Sequence, residues 1–197
     1  VPTDREPTSV RLSSAQIRCL AHPLRSRLLA SLRVDGPLTS ARLADRLGTN
    51  TGATSYHLRQ LAEVGLVEEV EDLGTARERW WASAHTFSTW HETDFDDDPD
   101  DRAAAEWLVD SYTRNKQRWR EYWLATRRTW STEWRRAADF SDISLEVTPD
   151  ELRSLTAELL EVVKRHRQAA LDDPDRNGDI ARVLVLLEAF PAPEIHL

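Results

Sequence analysis

The sequence predicts a mainly α chain with a small β component, the α+β class. Two observations carry this. Apolar residues recur at three- and four-residue spacing from Leu12 to Val64 and again through two long segments of the second half. Strand-like windows are short, near residues 66–71, 77–82, 143–147 and 182–190.

The elements follow in order. Residues 1–9 hold two prolines and few apolar groups, and read as a disordered arm. Leu12, Ile17, Leu20 and Ala21 mark a first helix, with Ser13 or Ser14 as its cap. His22-Pro23 breaks it, because proline restricts its predecessor and has no amide donor. Pro23 suits the first turn of a second helix, which carries Leu24, Leu28, Leu29 and Leu32 and stops at Asp35-Gly36. Pro37-Leu38-Thr39 is extended. Thr39 or Ser40 caps a third helix, Ala41 to Leu47, which Gly48 ends. A fourth helix runs from Thr51 to Val64, before Gly65. Residues 66–71 and 77–82 then read as two strands joined by a turn at Asp72-Leu73-Gly74-Thr75.

Residues 87–102 include the acidic run His91 to Asp101 and read as a solvated linker. Ala103 to Ala138 contains neither Gly nor Pro and reads as one long helix. Ile143 to Val147 alternates like a strand. Thr148-Pro149-Asp150-Glu151 is a helix start: the threonine caps, the proline fits the first turn, and the acids complement the helix dipole. That helix reaches Ala170. Arg182 to Phe190 reads as a buried strand ended by Pro191 and Pro193. The second half is thus a long helix followed by a small α/β unit, spanning 103–197.

Composition narrows the function. No apolar run approaches the roughly 18 residues of a membrane-spanning helix, so no membrane partner is expected. The polar N-terminus has no secretory apolar core, and the single cysteine, Cys19, suits a reducing compartment. The cytoplasm is the expected location. The net charge is -8 but unevenly spread. Residues 1–86 hold 11 Lys and Arg against 10 Asp and Glu, a net +1; residues 87–197 hold 15 against 24, a net -9. The acidity therefore does not burden the first half.

Helix, short strand, helix, tight turn, helix, hairpin, after a leading helix, is the order of a winged helix-turn-helix, here over residues 10–86. In that fold the third helix braces the fourth, whose N-terminal end meets base edges in the major groove of double-stranded DNA. Thr51, Thr54 and Ser55 are short hydroxyl donors at that end. Gly52 and Ala53 permit close approach, and Tyr56 reaches bases or backbone, as does Arg59. In the second wing strand Arg77 and Arg79 are two apart, hence on one face.

Two blocks carry a resemblance. Ile17 to Leu29, with Leu20-Ala21-His22-Pro23-Leu24-Arg25 at its centre, resembles the opening of ArsR-like repressors. Thr54 to Val67, with Ser55-Tyr56-His57-Leu58 and Gly65-Leu66-Val67, resembles their recognition helix and first wing strand. The resemblance covers residues 12–86. It implies a homodimer on an inverted-repeat operator, with Asn50, Thr51, Thr54, Ser55, Tyr56 and Arg59 at the DNA.

The chain departs from the family's metal sensors. The third-helix region, Leu38 to Ala44, has no cysteine, and Cys19 reads as a structural thiol. His85, His91 and Asp94 fit no zinc spacing, and His22 and His57 read as structural or phosphate-facing. Neither metal nor cofactor is expected. Tyr112, Trp119, Trp123, Trp130 and Trp134 fall on one helix face at four- and seven-residue intervals. Two readings stand: a packing or dimer seam, or the aromatic wall of a small-molecule effector pocket. Nearby Arg118, Arg120, Arg127, Arg128, Arg135 and Arg136 read as solvated ion-pair partners.

The leading expectation is a DNA-binding transcription regulator, more often a repressor in such families. The alternative is a protein-interaction module that uses the Trp-rich helix. An enzyme is not expected: no nucleophile arrangement or metal cluster is visible, and six glycines leave little for phosphate-cradling loops.

Overall fold

The computed structural model describes residues 8–73, 78–173 and 177–192. The chain divides into two compact units, Val1–Thr113 and Arg114–Leu197.

In the first unit the order is β1 (Ser9–Arg11), α1 (Ser14–Leu20), α2 (Pro23–Asp35), β2 (Leu38–Thr39), α3 (Ser40–Leu47), α4 (Thr51–Glu63), β3 (Val67–Val70), β4 (Trp80–Ser83) and β5 (Phe87–Thr89). The start of α5 (Pro99–Thr126) completes it. Each helix begins at the polar residue that can satisfy its orphan amides. Ser13 closes a capping box with Gln16, the His22 ring accepts from the Leu24 amide, Thr39 accepts from Arg42, and Asn50 accepts from Ala53. Gly48 ends α3 in the left-handed region at φ 65°, where its amide satisfies carbonyls of the last turn. Leu28, Leu32, Leu43, Leu58, Leu61 and Leu66 interlock as the core, with Trp81 of β4 against them.

The hairpin forms as expected. β3 and β4 pair antiparallel, Val67 opposite Ser83 and Val70 opposite Trp80, and β2 adds to the other edge of β4.

The acidic segment differs from expectation. Residues 87–102 are not a solvated linker. β5 pairs in parallel with β1, Ser9 opposite Phe87, so residues 8 and 9 are also no free arm. Residues 1–7 of that expected arm lie outside the described residues. Phe95 is buried in the core. Asp98 caps α5, its Oδ1 accepting from the amides of Asp100 (2.9 Å) and Asp101 (3.0 Å). Asp101 is itself buried and meets Arg18 Nε of α1 at 2.8 Å. Asp98 and Asp101 thus serve a helix start and an ion pair.

The second unit holds the rest of α5, α6 (Thr132–Ala137) and α7 (Pro149–Asp172). The expected single helix to Ala138 is broken. A 3-10 turn spans Arg127–Thr129, and Ser131 caps α6 by accepting from the Trp134 amide. The Thr126 hydroxyl donates to the Tyr122 carbonyl and that of Thr129 to the Thr126 carbonyl. Such hydroxyls compete for the carbonyls that a continuing helix needs. α7 starts at Thr148 with a full capping box to Glu151, as read.

The two strands expected at 143–147 and 182–190 do not form: every strand among the described residues lies before Trp90. An apolar pattern alone does not make a strand; it needs a ladder partner and a face to cover. Ile143, Leu145, Val183 and Val185 are all exposed. The α+β class holds, with its β part confined to the first unit. No described helix is long and apolar enough to cross a membrane.

Candidate nucleic-acid interface

α4 is amphipathic in a way that sorts its residues by role. Thr54, Leu58 and Leu61 are fully buried and pin it to the core. Thr51, Gly52, Tyr56 and Arg59 lie on its exposed face, and Ser55 is half-buried between. Asn50 is exposed as well, but its Oδ1 is engaged, accepting from the Ala53 amide at 2.8 Å.

Thr54 thus departs from the sequence reading. With none of its surface exposed, it faces the core and offers nothing to a groove. The period explains the error: Thr54 lies four before Leu58 and seven before Leu61, which places it on the apolar stripe. Arg59 sends its Nε back to the Ser55 carbonyl at 3.2 Å, which lays the guanidinium along the helix.

His57 points inward toward α2. Its ring lies 4.4 Å from that of His22, the cap of α2, and meets Tyr56 edge-on at 5.1 Å. Burial first, then neighbouring positive charge, holds both imidazoles below their ordinary pKa. The two histidines join the start of α2 to the outward-facing helix. His57 is therefore a packing residue here.

On the wing, Arg79 is exposed and sits 3.6 Å from Glu69 of β3, a loose surface pair. Arg77 lies outside the described residues. Sequence reading missed Arg42, which is exposed on α3 with its guanidinium 5.1 Å from the centre of the Trp80 ring. Its signal was present: an arginine in the first turn of the bracing helix, opposite the aromatic that opens the second wing strand.

The remaining candidates disperse. Asp94 is bound to Arg11 at 2.6 Å, and among the described residues no group of three or more His, Cys, Asp or Glu could hold a metal. Cys19 is half-buried with its Sγ 3.6 Å from the Gln60 carbonyl, and burial raises its pKa. The Trp stripe is not one face. Trp123, Trp130 and Trp134 do cluster, with ring centres 6.3 and 6.0 Å apart, and the Trp134 indole donates to Asp179 at 2.8 Å. Trp119 is exposed. Tyr112 belongs to the first unit and packs on Trp90 at 5.4 Å.

A helix braced from behind, polar outside and apolar inside, followed by a hairpin, agrees with what comparison finds. Residues 20–70 match the helix-turn-helix domain family. This segment is a helix-turn-helix domain. It runs from the end of α1 to the end of β3, and so contains the whole of α4. A helix-turn-helix domain is a DNA-binding fold, and its presence supports a DNA-binding regulator.

Solved structures include three likenesses. Reduced HlyU from Vibrio cholerae shares 22% identity over 50% of this chain and 85% of its own, with a TM-score of 0.33. A "possible transcriptional regulator for arsenical resistance" shares 28% over 51% and 85%, with a TM-score of 0.32. RV1404 from Mycobacterium tuberculosis shares 17% over 77% and 80%, with a TM-score of 0.32. No curated protein is a significant match.

Proposed function

We propose that the chain is a homodimeric repressor that reads an inverted-repeat operator through the outer face of α4. The observation that carries this is the sorting along α4. Thr51, Tyr56 and Arg59 stand outward from a helix whose opposite face is locked into the core, with Asn50 and Ser55 at their margin. Arg79 on the wing and Arg42 on α3 are exposed and add positive charge suited to phosphates. Arg77 joins them by its place in the sequence. Thr54 is left out.

The second unit supports the dimer. Among the described residues from Arg114 onward none is buried, while Leu145, Val147, Val183, Leu184 and Val185 are exposed. A unit of this kind has apolar surface to give to a partner, and a second copy is always at hand.

Gel-shift with the DNA upstream of the gene, titrated with salt, tests the reading. Tyr56→Ala and Arg59→Ala should each abolish the specific shift, and the remaining binding should fall steeply with salt. Specific binding retained in both variants would refute the assignment of α4. Light scattering in solution reports the dimer directly.

A further inference from the structure

Several arginines of the first unit are paired with carboxylates, and Arg33 is not one of them. Arg11, Arg18 and Arg46 each meet a carboxylate, in Asp94, Asp101 and Asp35. Arg33, in the last turn of α2, meets only neutral groups. Its Nε donates to Ser83 Oγ (3.4 Å) and the His85 carbonyl (3.1 Å), and its Nη2 donates to Ser88 Oγ (2.6 Å). Among the described residues the Nη1 donors have no protein partner, and no carboxylate lies within ion-pair distance. Burial lowers the pKa of the guanidinium, and the group that opposes this is the phenol of Tyr112. Tyr112 is enclosed in turn, its own pKa raised by burial. The guanidinium is half-buried with no counter-charge, and a planar fork with free donors matches a carboxylate. The Tyr112 ring packs on the half-buried Trp90, with centres 5.4 Å apart and a tilt of 39°.

We propose that Arg33, Ser88 and the Tyr112 phenol form a binding site for a small aromatic carboxylate, with the Trp90–Tyr112 pair as its apolar wall. The parts come from α2, the end of β4, β5 and α5, all in the first unit. A ligand here touches the helix that precedes the helix-turn-helix, the wing strand and α5 together. It would be the effector of the regulator proposed above. Only that consequence rests on the DNA reading; the site stands without it.

Binding is measured on the full chain without DNA, by calorimetry and thermal shift, with sodium benzoate as probe. Benzamide controls for the charge and sodium acetate for the ring. Benzoate should raise the melting temperature in a dose-dependent way, more than acetate does, and benzamide should do nothing. Arg33→Lys keeps the charge but loses the fork, and should weaken benzoate about tenfold or more. Arg33→Gln should abolish binding. Tyr112→Phe should weaken it several-fold while leaving the fold intact by circular dichroism. Equal responses to benzoate and benzamide, or unaltered benzoate affinity in Arg33→Lys, would overturn the site. A response to acetate equal to that for benzoate would overturn the aromatic wall. Since no DNA is present, failure here leaves the operator reading untouched, and failure of the gel-shift leaves this site untouched.

Discussion

Thr54→Val separates the structural account of α4 from the sequence account. Thr54 is fully buried, and among the described residues its Oγ1 has no hydrogen-bond partner. A buried hydroxyl without a partner costs about 1–3 kcal/mol. Valine has nearly the same shape and differs from threonine in helix propensity by only a few tenths of a kcal/mol, roughly. The exchange removes the stranded hydroxyl and places a methyl among Leu58 and its neighbours. A gain of about 1 kcal/mol follows, which for a unit of this size is about 4 °C in melting temperature.

Urea unfolding followed by tryptophan fluorescence reads this, since Trp81 is in the core of the same unit. The midpoint should rise with the slope unchanged. Thr54→Ser, which keeps the hydroxyl and deletes the methyl, should fall below wild type. The predicted order is valine, threonine, serine. The reverse order would show that the hydroxyl is bonded after all. In gel-shift, Thr54→Val should bind operator as wild type does. A loss as large as that of Arg59→Ala would place Thr54 at the DNA and refute the burial argument.

Three further outcomes follow. Asn50→Ala removes the cap of α4 and should cost about 1 kcal/mol in a urea titration, with Asn50→Ser restoring most of it. His22 and His57 titrate below the ordinary imidazole value in the fold, so the unfolded chain takes up protons first. Their stabilisation is complete above that value and is lost as pH falls below it; His22→Asn, which keeps a cap acceptor, should flatten the slope of melting temperature across that range. The Asp101 amide, then that of Asp100, hold the Asp98 carboxyl below its usual pKa. Its contribution is present above the ordinary carboxylate range and lost as pH falls through the lowered value, so Asp98→Ala should reduce the drop in melting temperature in acid.

The legibility of the chain varied with the range of the interactions involved. Caps are local, and Ser13, Thr39 and Thr148 cap the helices they were read to cap. Asp98-Pro99-Asp100-Asp101 carries the same signature as Thr148-Pro149-Asp150-Glu151, yet it read as a linker because its setting is so acidic. The chemistry of the start outweighs the charge count, since Asp98 meets two amides and Asp101 meets Arg18. The β1–β5 pairing joins residues nearly eighty apart, and nothing in either short segment announces it. Thr54 was legible in principle: its spacing to Leu58 assigns it to the core, against the expectation that hydroxyls near a helix start face the groove. Arg33 was not legible, because a lone arginine at a helix end reads as a dipole partner until its neighbours are known.

The two expected strands of the second unit bear on the dimer most directly. Ile143 to Val147 and Arg182 to Phe190 have the pattern of strands but no ladder, and their apolar side chains are exposed. Burying one leucine or valine stabilises by about 1.5–3 kcal/mol. Several such residues on a second copy would together offset the cost of association, whereas a charge among them would forfeit it. Leu145→Asp and Val185→Asp should therefore shift the chain from dimer to monomer in light scattering while the first unit keeps its core and its melting transition. Operator affinity should fall with the dimer, because each half-site then binds alone. If both variants remain dimers, or if wild type is a monomer at the concentrations where it binds DNA, these segments do not hold the copies together and the inverted repeat loses its structural basis.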